Sequence, residues 1–223
     1  GSAGGVAEEI VGEAVAHHRG DYILATKVGM KVGEAPEDEN TSPEAIRIQL
    51  RRSLVRMRTD YVDVYYLHRY DPDTEPHAVA RAMGEELRAG TIRAWGVSNY
   101  TAAQLAALLA AAADEGVPAP ALCQPALSML NTGALEELLP LCEKEGVGVV
   151  PYQLLQGGML TGKYRRGQEA PAGSRLAEKP EWMKPFTDET YDVIERCAAE
   201  AAAEGVTMTQ HALRWALAQP GVV

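Results

Sequence analysis

Two apolar runs of the sequence end in side chains that could act on a carbonyl group. The run ILAT is followed by Lys27, and the run VYYL is followed by His68. No candidate serine or thiol nucleophile accompanies them, so the pair suits proton transfer and carbonyl polarisation better than covalent catalysis. Taken singly, a solvated lysine at a strand end and a hydrogen-bonded loop histidine are the simpler interpretations.

Three further apolar runs end in hydroxyl, amide or aromatic groups. They end at Ser98 with Asn99, at Gln124 and at Tyr152. Amide and hydroxyl groups beside an aromatic face suit a planar ring that carries an amide, such as nicotinamide. The segment GVSN could alone form a turn, because serine and asparagine both favour turns. Five such endings in succession favour one shared site.

The elements that would position these residues alternate between helix and strand. Apolar residues at helical spacing predict the helices, and Ser42 with Pro43 marks one helix start as N-cap and first helical residue. The predicted helices lie at 6–19, 42–57, 76–90, 101–116, 135–146, 190–205 and 207–220. The predicted strands lie at 21–28, 60–68, 91–99, 121–125 and 146–153, and residues 221–223 begin one more.

Repeated strand–helix units without a linker indicate a parallel sheet with crossover helices in one domain over residues 1–223. An open doubly wound sheet and a (β/α)8 TIM barrel both satisfy this pattern. The sequence has no G-x-G-x-x-G segment that follows a strand and opens a helix, which favours the α/β barrel. In a barrel the carboxyl ends of the strands meet at one mouth, where active sites lie.

Composition restricts the classes of partner. The 223 residues are 46% apolar and 23% charged, with a formal net charge of −10, which argues against nucleic acid or an acidic membrane surface. Cys123, Cys142 and Cys197 lack metal-ligand spacing and are expected to be buried reduced thiols of a cytoplasmic protein. No apolar stretch approaches the ~20 residues of a membrane span. The oligomeric state stays open.

A Gly/Pro-rich loop is predicted over residues 154–188. It carries GGMLTGKYRRG and later GSR, so its basic side chains could fold over phosphate groups. These basic residues are Lys163, Arg165, Arg166 and Arg175. A solvated basic surface loop is an equally good interpretation.

Five segments in succession resemble landmarks of the aldo-keto reductases. They are RTDYVDVYYLHRYDPDT, IRAWGVSNYT, CQPALSMLN, PYQLLQGGMLTGKY and HALRWALAQPGVV, and they cover nearly the whole chain in the family's order. The resemblance implies a (β/α)8 barrel that binds NADPH without a Rossmann fold and reduces a small-molecule aldehyde or ketone. It implies that Lys27 and His68 are catalytic. The cofactor-binding residues that it implies are Ser98, Asn99 and Gln124 on the carboxamide, Tyr152 on the nicotinamide ring, Gln153, Leu154, Leu155, Gln156 and Gly157 on the pyrophosphate, and Lys163 and Arg175 on phosphates.

The chain departs from the family pattern in two places. Gln153-Leu154-Leu155 stands where the family often has Ser-Pro-Leu, so the backbone can still donate hydrogen bonds but no serine hydroxyl is present for the family's contact. The family's catalytic tyrosine and aspartate lie before the helix that begins here at Val6, so we expect the middle of a barrel, strands 3 to 7 and the start of strand 8. A catalytically silent NADP(H)-binding or regulatory protein on the same barrel is the alternative. Loops 31–40 and 165–188 are expected to set the substrate, which the sequence does not identify.

Overall fold

A computed structural model describes residues 4–31 and 39–223 of the chain. The chain forms two compact units, Gly1–Gln124 and Pro125–Val223. Most of the predicted specificity loop at 31–40 lies outside the described residues. The assignment of one domain to residues 1–223 stays a prediction.

In the described part of the first unit, four parallel strands lie in the order β1-β2-β3-β4. They are β1 (Ala25–Val28), β2 (Val62–Leu67), β3 (Ile92–Ser98) and β4 (Leu122–Gln124). Every residue of β2 is buried, as expected for a parallel strand that is covered on both faces. The register pairs Lys27 with Tyr66, and Ser98 with Gln124, so the polar strand ends fall at the same edge of this sheet.

Within the described residues, one helix precedes these strands and three connect them, and sequence signals explain several of the helix starts and ends. They are α1 (Val6–Val15), α2 (Pro43–Met57), α3 (Pro76–Ala89) and α4 (Ala102–Asp114). The Ser42 hydroxyl accepts from the Ala45 amide at 3.2 Å, which confirms the predicted N-cap. Thr101 and Gln104 form a capping box on α4, and left-handed Gly90 ends α3.

The predicted helix over 6–19 is too long. Helix α1 ends at Val15, and residues Arg19–Asp21 form a separate turn of 3-10 helix. The Arg19 side chain explains the break, because it donates to the Tyr22 carbonyl at 2.9 Å and to the Asp63 carboxylate at 2.9 Å. These bonds fix the backbone after α1 in a turn that is incompatible with continuation of the helix.

The core of the first unit is built on large side chains of the strands and their covering helices. Tyr65 and Trp95 are fully buried, and the polar atom of each is hydrogen-bonded to a backbone carbonyl. The Tyr65 hydroxyl donates to the Ile46 carbonyl at 3.1 Å. The Trp95 ring nitrogen donates to the Pro118 carbonyl at 2.8 Å. Gly96 follows Trp95 on β3 and lies opposite Tyr66 of β2. A Cβ there would meet the Leu122 carbonyl oxygen at 2.5 Å and the Tyr66 ring at 2.7 Å.

The second unit contains β5 (Gly148–Val149), α5 (Leu138–Glu145), α6 (Arg175–Glu178), α7 (Asp188–Ala203) and α8 (Met208–Leu217). Val222 pairs with Val149 in parallel, which confirms that the last residues begin a further strand. The strand predicted over 146–153 is shorter, because Pro151 has no amide to donate. Tyr152 instead forms an isolated parallel bridge with Ala126.

The Gly/Pro-rich loop predicted over 154–188 contains short ordered elements. Residues Gln156–Thr161 and Pro180–Trp182 form 3-10 turns, and Ser174 caps the short helix α6 through a bond from the Ala177 amide at 3.3 Å. The Tyr164 hydroxyl, which is buried, accepts from the Leu176 amide at 3.3 Å and fixes α6 beside the glycines. Glycine and proline content predicted the loop but did not indicate the local hydrogen bonds that order parts of it.

The three cysteines are buried, as predicted. Within residues 4–31 and 39–223, no helix is both long and apolar enough to span a bilayer. In the same residues no group of three metal-ligating side chains comes together.

Candidate functional site

Lys27 and His68 line the same cavity of the first unit, which has a volume of about 380 Å³. Lys27 is the third residue of β1, and His68 directly follows β2. The His68 amide donates to the Val28 carbonyl at 2.8 Å, so the hydrogen-bond ladder of the two strands continues through this residue. The structure therefore brings together the two residues to which the sequence assigned carbonyl chemistry.

Burial changes the proton affinity of both side chains in the same direction. It lowers the pKa of the Lys27 ammonium, because the charged form is partly removed from water. Burial also lowers the pKa of His68, and the positive charge of Lys27 lowers it further. At neutral pH the imidazole is therefore neutral, and one of its ring nitrogens can donate a hydrogen bond to a carbonyl oxygen.

Tyr66 is the aromatic residue against which Lys27 packs. The Lys27 ammonium lies 5.4 Å from the centroid of the Tyr66 ring, which allows a cation–π contact. Burial raises the pKa of the Tyr66 hydroxyl, so this phenol stays protonated and is not a poised acid–base group.

Hydrogen bonds join three of the strand ends. The Asn99 amide nitrogen donates to the His68 carbonyl at 2.8 Å and to the Ser98 hydroxyl at 3.2 Å. The Ser98 hydroxyl donates to the Gln124 carbonyl at 2.8 Å. Asn99 has a positive φ of 59°, which turns its side chain back towards the neighbouring strand end. The predicted carboxamide-binding residues of the first unit thus form one connected polar edge.

A carboxylate that the sequence analysis did not single out also lines the cavity. Glu8 accepts from the Thr26 hydroxyl at 2.5 Å and from the Arg56 guanidinium at 2.6 Å. From sequence alone Glu8 is an ordinary acidic residue in the first turn of a helix, a place where the helix dipole favours negative charge. The sequence offers one indirect signal that Glu8 faces α2. Gly12 lies one helical turn after Glu8, and its missing Cβ lets α1 approach the Met57 backbone.

In the second unit, the segment from Tyr152 to Gly158 has an unusual backbone. The Tyr152 amide donates to the Pro125 carbonyl at 2.9 Å, and its carbonyl accepts from the Leu127 amide at 3.1 Å, so the ring is held on a fixed backbone. Left-handed φ angles follow at Gln153 (59°), Gln156 (46°), Gly157 (66°) and Gly158 (98°). Two glutamines in this region carry strain of the kind that collects at ligand clamps.

Two predicted phosphate-binding cations lie against these glycines. A Cβ on Gly158 would lie 2.9 Å from the Lys163 ammonium, and a Cβ on Gly157 would lie 3.6 Å from the Arg175 guanidinium. Arg166 is placed differently, because it pairs with Asp188, Asp192 and Glu195 on α7. Lys163 and Arg175 are therefore brought together at the glycines, and Arg166 is held by acidic side chains instead.

The second unit fits a phosphate-bearing group. Bare glycine backbone lies beside two cations, and the Gln156 side-chain nitrogen is buried without a hydrogen-bond partner in the described part of the chain. Phosphate oxygens are acceptors for all three kinds of donor. Met183 also reaches this segment, since its sulfur lies 2.7 Å from the position of a Cβ on Gly157.

Comparison with known proteins gives consistent matches. A sequence profile described as the Aldo/keto reductase family matches residues 4–223. A probable voltage-gated potassium channel subunit beta from Oryza sativa subsp. japonica is 34% identical over 99% of this chain and 69% of its own length. An NADH-specific methylglyoxal reductase from Escherichia coli (strain K12) is 31% identical over 98% of this chain and 69% of its own length.

A solved structure is similar throughout the chain. The glycerol dehydrogenase from Gluconobacter oxydans matches with a TM-score of 0.80 and 30% identity, over 98% of this chain and 67% of that one. The chain thus spans about two thirds of the length of these relatives. Together the matches confirm the predicted fold class, the α/β (β/α)8 barrel, over the open doubly wound sheet.

Proposed function

The chain belongs to the aldo/keto reductase family of oxidoreductases, and on this premise we propose that it reduces a small aldehyde or ketone to an alcohol. The observation that supports this most directly is the shared cavity of Lys27 and His68. A neutral imidazole and a partly desolvated ammonium in one cavity suit a carbonyl oxygen that gains negative charge in the transition state.

In this proposal His68 donates a hydrogen bond to the carbonyl oxygen and fixes its orientation. In the family the hydroxyl of a catalytic tyrosine protonates the same oxygen, and Lys27 would supply positive charge that favours the phenolate left after this transfer. Burial lowers the pKa of Lys27, so its ammonium is less fully hydrated. When bound, a nicotinamide dinucleotide supplies the hydride. The hydrogen-bonded edge of Ser98, Asn99 and Gln124 would hold its carboxamide, and Tyr152 would stack on its ring.

We assign the phosphate-binding role to the second unit. Gln153, Leu154, Leu155, Gln156 and Gly157 would line the pyrophosphate, with Lys163 and Arg175 as its cations. Their placement at Gly157 and Gly158 supports this assignment. We propose NADPH as the preferred cofactor from the family resemblance, although the E. coli relative is named NADH-specific. Titration of the protein with each cofactor decides between them.

We place the protein in the cytoplasm, where three buried thiols would stay reduced. No nucleic-acid partner is proposed, because the chain has a net charge of −10.

A catalytically silent nucleotide-binding or regulatory protein is the second candidate function. The similarity to a relative named as a potassium channel subunit beta favours it. The two candidates differ in turnover and not in cofactor binding. Tight NADPH binding without reduction of any general aldehyde supports the silent protein, and turnover excludes it.

The substitution Lys27→Met tests the proposed reaction, with 4-nitrobenzaldehyde as the carbonyl probe. We expect kcat to fall by about 100- to 1,000-fold, because one charge that stabilises the transition state is lost. We expect NADPH affinity, followed by the cofactor's fluorescence, to stay near that of the wild type. Lys144→Met, which removes an exposed lysine of α5, is the matched control and keeps full activity. A Lys27→Met protein with wild-type turnover overturns the role of Lys27.

A further inference from the structure

Thr26 directly precedes Lys27 on β1, and the two side chains point to opposite faces of the sheet. The register pairs Thr26 with Tyr65 and Lys27 with Tyr66. The Tyr65 hydroxyl donates to the Ile46 carbonyl of α2 at 3.1 Å, so Tyr65 and Thr26 lie on the face that the helices cover. The Lys27 ammonium contacts the Tyr66 ring on the other face. A contact that holds Thr26 therefore acts on Lys27 through the backbone of β1.

The Glu8 carboxylate is the contact that holds Thr26. One of its oxygens accepts from the Thr26 hydroxyl at 2.5 Å, and the other accepts from the Arg56 guanidinium at 2.6 Å. Arg56 also donates to the Ser53 hydroxyl of the same helix at 3.2 Å. The side chains of Glu8 and Arg56 are each 19% exposed, and short charge-assisted bonds shielded from water are strong. This one carboxylate thus joins β1 to both α1 and α2.

A second side chain holds β1 on the far side of Lys27. The amide of Gly29, which follows the strand, donates to the side-chain oxygen of Gln49 on α2 at 3.4 Å. This bond is longer than those of Glu8, so Glu8 provides the stronger restraint. Within residues 4–31 and 39–223, no hydrogen bond or ion pair holds the Lys27 ammonium, whose contact is the Tyr66 ring. Its position therefore depends on the strand that carries it.

Packing alone does not require a hydroxyl at Thr26. Valine has the same shape and favours strands, so it would fill this buried position. Apolar contacts, however, are non-directional and do not fix the rotation of a strand about its own axis. A hydrogen bond to a carboxylate that is itself held by an arginine is directional and does fix it.

We propose that Glu8 is a positioning residue of the reductase reaction, because its bond to the Thr26 hydroxyl fixes the rotation of β1 and so the direction in which Lys27 points into the cavity. The inference rests on the proposed function. Neither Glu8 nor Thr26 touches the carbonyl group or the cofactor in this arrangement. Loss of their bond should therefore slow the chemical step and leave the binding of both substrates unchanged.

Thr26→Val tests the bond, because valine keeps the shape of threonine and lacks the donor. With 4-nitrobenzaldehyde and NADPH we expect kcat to fall by about 10- to 100-fold, since a small displacement of a reacting group is costly. The KM for the aldehyde and the Kd for NADPH should stay close to those of the wild type. Thr26→Ser, which restores the hydroxyl without the methyl group, should recover most of the lost kcat. A Thr26→Val protein with lowered Tm and wild-type kcat would show a merely structural bond and overturn the inference.

Glu8→Ala tests the same bond from α1 and reports on it even if Thr26→Val folds poorly. We expect a similar loss of kcat, and the double variant should be no slower than Glu8→Ala, because both changes remove one contact. Glu9→Ala, at the exposed neighbouring carboxylate of the same helix, should keep full kcat.

Three results separate the positioning role from the proposed function. Losses that multiply in the double variant would show independent effects and overturn the inference. Wild-type kcat in Thr26→Val and Glu8→Ala, with Lys27→Met still slow, would overturn it while the proposed function stands. A wild-type protein that reduces no general aldehyde would overturn both.

Discussion

At the scale of single residues, position within the fold decides what an ambiguous side chain can do. Lys27 and His68 each had a simpler interpretation from sequence, as a solvated charge and as a loop residue. The structure places both on one cavity and partly buries both, and burial lowers both pKa values. The residue types and strand ends were predictable, but desolvation was not, because it depends on neighbours distant in sequence.

The lowered pKa of His68 predicts a pH dependence of stability. The unfolded chain protonates this histidine near pH ~6.5, whereas the folded protein does so at lower pH. Between these two values the unfolded state binds more protons, so the free energy of unfolding falls as the pH falls below about 6.5. In His68→Gln, the part of this fall in the free energy of unfolding that comes from protonation of His68 should disappear.

The test compares urea unfolding at about pH 7.5 and about pH 5.5 for the wild type and for His68→Gln. We expect the variant to lose less stability than the wild type over this interval. His17→Gln, which replaces an exposed histidine, should behave as the wild type does. An identical loss in His68→Gln and wild type would show that His68 is not desolvated.

At the scale of elements, local signals were the most reliable part of the sequence. Ser42 and Thr101 cap helices as their types predict, and Gly90 ends one. The signals failed where a distant partner decided the outcome. Asp63 holds Arg19 and so ends α1 early, and Tyr164 orders α6 within a predicted loop. Neither partner is visible from the composition of the segment that it orders.

Gly96 is a position at which a single added methyl group should disturb the packing of two strands beside the site. In Gly96→Ala the new Cβ would lie 2.5 Å from the Leu122 carbonyl oxygen, which is backbone and cannot move aside without shifting β4. We expect the free energy of unfolding to fall by about 2–3 kcal/mol, as measured by urea denaturation. Gly20→Ala adds the same methyl group with no atom within 4 Å and should be nearly neutral. Equal stability of the two variants would contradict the close approach of β3 and β4.

At the scale of the whole molecule, the proposed roles divide between the two units. The first unit carries Lys27, His68 and the polar edge, and the second carries Tyr152, the glycines and the cations that we propose to bind phosphate. The alternation of elements predicted a parallel α/β fold, and the absence of a dinucleotide fingerprint favoured the barrel class, which the family match confirms. The substrate was not predictable, because it depends on loop side chains that periodicity does not position.

Membership of the family does not by itself separate a reductase from a silent nucleotide-binding protein, since one matching relative is named a methylglyoxal reductase and another a potassium channel subunit beta. What separates them is whether a hydride leaves the cofactor and reaches a carbonyl carbon in the cavity of Lys27 and His68. That is the central claim.

The direct test uses NADPH that carries deuterium at both C4 positions of the nicotinamide, with 4-nitrobenzaldehyde as acceptor. Mass spectrometry of the product should find the alcohol with one deuterium on the former carbonyl carbon, and Lys27→Met should suppress its formation while still binding NADPH. A protein that binds the labelled cofactor tightly and yields no deuterated alcohol from this or any other general aldehyde would contradict the proposed reductase.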